Sequence, residues 1–270
     1  DDNGPTVTLS LSGSSIAENG LSITLTATLS STTSEDVVIS FSSSGTGTEG
    51  TDYSNISDIT ISAGNTTGTT SFTPTDDSIY EGDETAIIAI DTVSGGSATE
   101  DGDQSVTITV TENESAPIVT IATSASSIDE NSGSSLTLTA TLSVATTEDV
   151  NVILGISGYA QEEVDFSSLS NITISAGSLT GTSDFTPIDD DNYEASTPET
   201  VNVAISSVSG GSATKADSSQ SVTLSIIDND IPTVTLAVSN STIDENSDSS
   251  LTLTATLSNS TYQDVRVAFD

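Results

Sequence analysis

The sequence has 270 residues, with 40 Asp and Glu against two Lys and Arg, and no His, Cys, Met or Trp. The formal net charge of −38 argues against nucleic acid as a partner, because binding to phosphates needs Lys and Arg. It also argues against anionic membrane surfaces. Without Cys there are no disulfides and no thiol chemistry. No apolar run is long enough to span a bilayer, so we expect no direct membrane insertion.

Short β-strands are predicted along the whole chain. Apolar and polar residues alternate with a period of two, which places the apolar side chains on one face of a strand. The pattern is clearest between Ile23 and Leu29, where a helix is disfavoured because the period is wrong and the Thr and Ile residues are β-branched. In chain order, the strands of the first 116 residues are predicted near 7–11, 23–29, 37–41, 59–61, 69–72, 85–90 and 106–110.

These seven or so strands are separated by turns rich in Gly, Asn, Asp and Ser, with no credible helical stretch between them. Two antiparallel sheets packed face to face would bury the apolar faces of such strands. The predicted fold class is therefore all-β, with Ig-like antiparallel sandwiches in tandem.

Tandem repeats are visible as phrases that recur at the spacing of whole domains. The phrase Pro5-Thr-Val-Thr-Leu9 returns at Pro117 and at Pro232, with spacings of 112 (117 − 5) and 115 (232 − 117) residues. We therefore expect the tail of a preceding repeat at 1–4, complete repeats at 5–116 and 117–231, and a partial third repeat at 232–270. We also expect the array to continue on both sides.

Acidic residues recur at corresponding positions of the repeats. The densest runs are Asp76–Glu84 and Asp189–Glu194, each just before a predicted strand. Single acids recur before the second strand (Glu18, Glu130, Glu245), before an aromatic residue (Asp52, Asp165) and at the end of a repeat (Glu112 and Glu114; Asp228 and Asp230). Because alternate loops of a sandwich emerge at the same end, we expect these segments to converge where the next repeat begins.

Clustered carboxylates repel one another unless a cation neutralises them. Ca²⁺ accepts six to eight oxygen ligands in flexible geometry, whereas Mg²⁺ needs a smaller octahedral set and Zn²⁺ favours His or Cys. The sequence thus predicts calcium as the bound cation. The alternative is a merely solvated acidic surface, but the acids recur between repeats while many residues around them vary.

The segments Ile16–Gly20, Asp52-Tyr53 and Asp76–Glu84, with the acidic end of the last strand, resemble the Calx-β domain. The resemblance covers two full repeats and a partial third, and it implies that calcium is bound by these segments. In the first repeat the implied ligands are Glu18, Asp52, Asp76, Asp77, the carbonyl of Ile79, Glu81, Glu84, Glu112 and Glu114. In the second they are Glu130, Asp165, Asp189, Asp190, the carbonyl of Asn192, Glu194, Glu199, Asp228 and Asp230, and Glu245 is the candidate in the third.

Calx-β domains occur in two settings, which are the cytosolic calcium sensor of sodium–calcium exchangers and the repeat arrays of bacterial surface adhesins and matrix proteins. Ser/Thr-rich, nearly Lys-free repeats in direct succession resemble the second setting. We therefore expect a structural segment of a cell-surface or secreted adhesin or fibre, in which Ca²⁺ stiffens the short joints at 111–117 and 227–232. The expected partners are neighbouring repeats of the chain and other copies in a fibre.

Three alternatives stay open. The chain could be a calcium-sensing regulatory pair, or its repeats could bind glycan or protein ligands themselves, for which Tyr53, Tyr80, Tyr159 and Tyr193 are the aromatic candidates. Two of these, Tyr80 and Tyr193, occupy equivalent positions of the repeats, which favours a packing role for them. Catalysis is the third alternative, but Ser–His and Cys–His pairs are excluded by composition. A glycosidase needs only two carboxylates, yet carboxylates that recur at the repeat ends are better explained as ligands, so we expect no enzyme.

Overall fold

The computed structural model describes residues 4–194, 199–217, 220–261 and 263–269. Two compact units are present: Asp1–Pro117 with Val144–Thr147, and Ile118–Ser143 with Glu148–Asp270. The regular structure of the described residues is β-strand, apart from a short 3₁₀ turn at Glu130–Ser132. The predicted all-β class of Ig-like sandwiches is confirmed. No helix with the length and apolar character needed to cross a membrane occurs in this part of the chain.

The first sandwich is built from a four-stranded and a five-stranded sheet, with strand orders β6-β3-β1-β9 and β2-β10-β8-β4-β5. Neighbouring strands are antiparallel, except that β9 pairs in parallel with β1 and β2 pairs in parallel with β10. These two short edge strands were not predicted. The strands are β1 (Thr6–Leu11), β2 (Ser15–Ala17), β3 (Ile23–Leu29), β4 (Val37–Gly45), β5 (Ile59–Ile61), β6 (Thr67–Phe72), β7 (Ile79–Tyr80), β8 (Glu84–Ser94), β9 (Thr99–Glu100) and β10 (Ser105–Thr111).

The second sandwich has the same topology, with strand orders β17-β13-β11-β20 and β12-β21-β19-β15-β16. The short strand β14 follows β13 in the sequence but belongs to the first compact unit, where it pairs with β7. The strands are β11 (Ile118–Thr123), β12 (Ser127–Asp129), β13 (Leu136–Leu142), β14 (Ala145–Thr146), β15 (Val150–Gly158), β16 (Ile172–Ile174), β17 (Thr180–Phe185), β18 (Asn192–Tyr193), β19 (Glu199–Ser209), β20 (Thr214–Lys215) and β21 (Ser221–Ile227).

The last part of the chain contributes an antiparallel hairpin of β22 (Val234–Val238) and β23 (Leu253–Leu257), followed by β24 (Ser260–Thr261). No opposing sheet covers this hairpin among the described residues, so its apolar side chains are exposed. Leu236 and Leu253, for example, are 54% and 56% exposed.

Each sandwich has its own core, made mostly of Val, Ile and Leu from the inward faces of both sheets. One aromatic pair lies in each core: Tyr53 with Phe72, at a centroid distance of 4.8 Å, and Phe166 with Phe185, at 5.0 Å. Tyr53 is only 1% exposed, so the prediction that it is an exposed aromatic residue available to a glycan is wrong. It is a packing residue because its ring lies against that of Phe72, tilted by 31°, inside the core.

Candidate metal centre

The acidic segments of the first repeat meet because β2 and β10 pair in parallel. Their register places Ile16 opposite Val110 and Ala17 opposite Thr111. The next residues along the two strands, Glu18 and Glu112, therefore leave the sheet side by side. This end of the sandwich also receives the loop after β4, which carries Asp52, and the acidic loop between β6 and β8.

The acidic loop of the first repeat is held in place by carboxylates, through the main-chain amides of the loop itself. The amide of Asp77 donates to Glu18 Oε1 at 3.2 Å, and that of Ile79 donates to Asp77 Oδ1 at 2.7 Å. The amide of Glu81 donates to Glu112 Oε2 at 2.6 Å. The loop and the acids around it are thus fixed as one network.

Three groups of carboxylates form in the first repeat, each with oxygen atoms that all lie within 4.8 Å of one another. Glu18 and Glu81 each belong to two groups, so the three groups join into one cluster. The groups are Glu18 with Glu112 and Glu114, Glu18 with Asp77 and Glu81, and Asp52 with Glu81 and Glu84. A small cavity of about 10 Å³ lies among Glu18, Asp52, Glu81, Glu84 and Glu112, which is about the room that one water-sized occupant needs.

The second repeat reproduces the amide network. The amide of Asp190 donates to Glu130 Oε1 at 3.0 Å, that of Asn192 to Asp190 Oδ1 at 2.6 Å, and that of Glu194 to Asp228 Oδ2 at 2.8 Å. The carboxylate groups here are Glu130 with Asp189 and Asp230, and Asp165 with Glu194 and Glu199. Residues 195–198, which replace Gly82-Asp83 of the first repeat, lie outside the described residues.

An aromatic anchor positions the acid of the loop after β4 in the first repeat and after β15 in the second. Asp52 and Asp165 each precede a core residue, Tyr53 or Phe166, whose ring is almost completely buried. The carboxylates accept main-chain amides at 2.6 Å, from Thr48 in the first repeat and from Gln161 in the second. Core packing therefore sets where these two acids lie.

The remaining predicted ligands belong to none of these groups. Asp76 Oδ1 accepts a hydrogen bond from Asn113 Nδ2 at 3.1 Å. Asp190 and Asp228 accept hydrogen bonds from the main-chain amides of Asn192 and Glu194. The carbonyls of Ile79 and Asn192 stay predictions. Glu245 is exposed in the third repeat and belongs to none of the groups among the described residues.

Three further acids position the predicted ones and were missed. Asp83 Oδ1 accepts the amide of Glu112 at 3.0 Å. Glu49 Oε1 accepts the amide of Ile56 at 2.6 Å, and Glu162 Oε1 accepts that of Leu169 at 2.9 Å, so each closes the loop that carries the Asp. The spacing Glu-X-X-Asp recurs in both repeats, at Glu49 and Glu162, and that recurrence was a usable signal.

Burial and mutual repulsion shift the pKa of these carboxyls. Burial, as the largest cause, and the charges of neighbouring acids together raise the pKa of five Glu residues from 4.5 to about 7: these are Glu18, Glu84, Glu130, Glu194 and Glu199. Burial also acts to raise the pKa of Glu112, but amides of Glu114, Glu81 and Gly82 outweigh it and lower that pKa to about 2.

Several buried carboxylate oxygens have no hydrogen-bond partner among the described residues. They are Oε2 atoms of Glu114, Glu130 and Glu199, and the Glu130 residue is only 5% exposed. An ionised oxygen in such a place is costly unless a proton or a cation satisfies it. The donor set consists of oxygens, and the sequence has no His or Cys, so the residues fit a hard cation such as Ca²⁺.

Fold and site together define Ig-like β-sandwich repeats with an acidic cluster at one end of each complete repeat. The family described as the Calx-beta domain matches residues 1–115, so the chain contains a Calx-beta match that covers its first repeat. No curated protein sequence matches the chain.

Two solved structures are similar to this chain at low sequence identity. The crystal structure of CBD12 from CALX1.2 is 13% identical, with a TM-score of 0.37, over 81% of this chain and 99% of that one. The structure of the Yersinia pseudotuberculosis adhesin InvE is also 13% identical, with a TM-score of 0.35, over 83% of this chain and 60% of that one.

Proposed function

We propose that this chain is a structural, calcium-binding segment of a cell-surface or secreted repeat protein. The observation that carries the proposal is the recurrence of one arrangement in both complete repeats. In each, a buried Glu (Glu18 or Glu130) accepts a hydrogen bond from a main-chain amide of the acidic loop. The same Glu lies in one cluster with at least one acid from the end of the repeat.

The geometry of the groups suits one ion shared between several carboxylates. Two oxygens that each lie about 2.4 Å from the same Ca²⁺ are at most about 4.8 Å apart. The oxygens of each group lie within 4.8 Å of one another. Ions bound there would be held by these carboxylates. They would offset the burial that chiefly raises the pKa of Glu18 and Glu130 and neutralise the repulsion from neighbouring acids that adds to it.

Calcium would supply local order to the chain, and the carboxylates would act as ligands instead of catalytic groups. Each predicted ligand segment is the end of a strand or a loop between strands, so a shared ion ties together four segments that are far apart in sequence. We place this segment in an extracellular adhesin or fibre, with neighbouring repeats and other copies as partners. The nearly Lys-free, Ser/Thr-rich composition of the successive repeats supports this placement.

Calcium titration of the intact chain by calorimetry tests the proposal. We expect binding with dissociation constants of about 10⁻⁴ to 10⁻³ M, which is the range of extracellular calcium modules. Constants of about 10⁻⁷ to 10⁻⁵ M would instead indicate a calcium sensor. Absence of binding at millimolar calcium would overturn the proposal.

A matched pair of variants locates the site. Asp52→Asn removes a carboxylate of the first-repeat cluster, whereas Asp58→Asn removes the same charge from an exposed position six residues later. We expect only Asp52→Asn to weaken calcium binding, by at least tenfold at the first repeat. Equal effects of the two variants would mean that calcium responds to net charge alone.

A further inference from the structure

The two-residue strand inside each acidic loop has a partner strand from the sequence of the next repeat. In the first compact unit, β7 pairs in parallel with β14, with Ile79 opposite Ala145 and Tyr80 opposite Thr146. In the second, β18 pairs in parallel with β24, with Asn192 opposite Ser260 and Tyr193 opposite Thr261. Orientation and length are the same in both cases.

The partner strands occupy the same positions of their repeats. Ala145-Thr146 and Ser260-Thr261 each lie three and four residues after the Leu that ends a long strand, at Leu142 and Leu257. The corresponding residues of the first repeat are Thr32-Thr33, after Leu29. The same short segment is therefore used twice, and Thr146 is only 1% exposed in its pairing.

The strand β7 is also tied to the carboxylates on both of its sides. The amide of Ile79, its first residue, donates to Asp77. The amide of Glu81, directly after it, donates to Glu112. A shift of β7 away from β14 must therefore move the hydrogen-bond donors of two candidate calcium ligands.

The second acidic loop makes the equivalent amide-to-carboxylate hydrogen bonds. The segment 259–261 also donates side-chain hydrogen bonds to this loop and to the end of the repeat. Asn259 Nδ2 donates to Asp230 Oδ1 at 2.6 Å, so this segment contacts a candidate ligand directly. The hydroxyl of Ser260 donates to the side-chain oxygen of Asn192.

We infer that the segments 144–147 and 259–261 are the dedicated binding partners of the acidic loops, and that calcium binding and this strand pairing strengthen each other. The inference rests on the proposed function and adds to it the partner segments and the way in which the ion acts on them. By thermodynamic linkage, the factor by which calcium strengthens the pairing equals the factor by which the formed pairing strengthens calcium binding. A variant in which the pairing no longer forms must therefore lose that factor of calcium affinity.

Hydrogen exchange on the intact chain tests the coupling directly. The predicted calcium ligands do not include residues 144–147 or 259–261, so protection of their amides reports pairing and not coordination. We expect calcium to slow exchange at both segments and to leave the corresponding residues 31–34 of the first repeat unchanged. Calcium binding without added protection at 144–147 and 259–261 would overturn the inference and leave the proposed function intact.

Variants provide the reverse test. Ala145→Pro removes a main-chain donor and disfavours strand pairing, and Thr32→Pro makes the matched change at the corresponding position of the first repeat. We expect Ala145→Pro, but not Thr32→Pro, to weaken calcium binding at the first-repeat cluster by about tenfold. Equal affinities of the two variants would overturn the coupling.

A milder pair avoids the risk that proline disturbs folding. Asn259→Ala removes the side chain that donates to Asp230, and Asn240→Ala changes an exposed Asn of the same partial repeat. We expect Asn259→Ala to weaken calcium binding at the second repeat by about fivefold, as for one lost hydrogen bond, and Asn240→Ala to have no effect. Equal binding by these two variants contradicts the coupling at the second loop. If the unaltered chain binds no calcium, the proposed function and the inference fall together.

Discussion

The two complete repeats reach a similar acidic cluster with different side chains. The first ends in Glu112-Asn-Glu114, and Glu18 groups with both of these acids. The second ends in Asp228-Asn-Asp230, which is one methylene shorter at each acid, and there Glu130 groups with Asp230 and Asp189. Asp76, which corresponds to Asp189, lies outside the groups of the first repeat.

The difference shows which part of the site is fixed and which part adapts. The amide network is the same in both repeats, since Glu18 and Glu130 each accept the amide of the second Asp of the loop. The outer acids vary with the length of the terminal side chain. The hydrogen bonds from main-chain amides to Glu18 and Glu130 are therefore the part of the site that the two repeats share, and the acids that complete the group are the part in which they differ.

Removal of calcium should produce the largest effect and should act on both repeats. At about 100 times its dissociation constant, calcium adds about 2.7 kcal/mol per site to the free energy of unfolding. For a domain of this size that corresponds to a shift of roughly 10 °C in the unfolding midpoint. Scanning calorimetry with calcium and with chelator would measure it. Identical midpoints in the two conditions would rule out structural calcium.

Neutralising the buried Glu that accepts the loop amide in either repeat, Glu18 or Glu130, should show whether the two sites are independent. We expect Glu18→Gln and Glu130→Gln each to weaken calcium binding at their own repeat by at least tenfold, because an ion loses a charged ligand. Without calcium each variant should unfold at a higher temperature, because a buried charge is removed. Calorimetric titration measures the first effect and thermal unfolding the second.

The matched controls are Glu35→Gln in the first repeat and Glu163→Gln in the second, both at exposed positions. They remove the same charge outside the carboxylate groups. If the controls weaken calcium binding as much as Glu18→Gln and Glu130→Gln do, Glu18 and Glu130 have no special role in the site.

The calcium-free chain should become less stable as the pH rises from about 4.5 to about 7. Five Glu residues, among them Glu18 and Glu130, have a pKa near 7 in the folded protein and 4.5 as the ordinary value. The folded state therefore holds more protons than the unfolded state between these pH values. The stability that results from the raised pKa values is lost as the five carboxyl groups release their protons. Thermal unfolding in chelator at pH 5 and pH 7.5 checks the direction, and saturating calcium should abolish or reverse it.

The smallest effect is expected from making the first core resemble the second. Tyr53 and Phe166 are equivalent, but the buried hydroxyl of Tyr53 makes no well-formed hydrogen bond to the described residues. Burial raises the pKa of this hydroxyl, and Ser43 nearby lowers it only in part. Tyr53→Phe removes that unsatisfied group, so we expect a gain of about 1 kcal/mol in the free energy of unfolding and unchanged calcium binding. Denaturant titration measures the gain. A loss of more than about 1 kcal/mol would show that the hydroxyl has a stabilising contact.

The fold was predictable because the core strands show a clear alternation, as at Ile23 to Leu29. The recurrence of acids between repeats likewise indicated most of the residues that the structure brings together. The strands β2 and β9 escaped prediction because runs of three and two residues are too short to display a period. The burial of Tyr53 was missed because its neighbours in sequence are polar, and only the ring contact with Phe72 reveals its place in the core.

The strand pairing between the acidic loops and the segments β14 and β24 could not be predicted from the sequence, for a different reason. Ala145-Thr146 and Ser260-Thr261 pair with the loops through the main chain, to which Ser260 adds a side-chain hydrogen bond in the second case. Main-chain partners leave no side-chain signature. The role of Asp83, which accepts the amide of Glu112, was hidden for a similar reason, because the contact depends on how the loop folds back on the last strand.

The short strands at the sheet edges bear on how such a chain avoids misfolding during synthesis. Neighbouring repeats with nearly identical strands are prone to pair with one another's edges, which leads to misassembly and aggregation. In the first sandwich three edge positions are taken by β2, β5 and β9, of only three, three and two residues. Such brief edges offer few free main-chain groups to a foreign strand, so each repeat can fold beside a repeat of the same topology with little risk of exchanging strands.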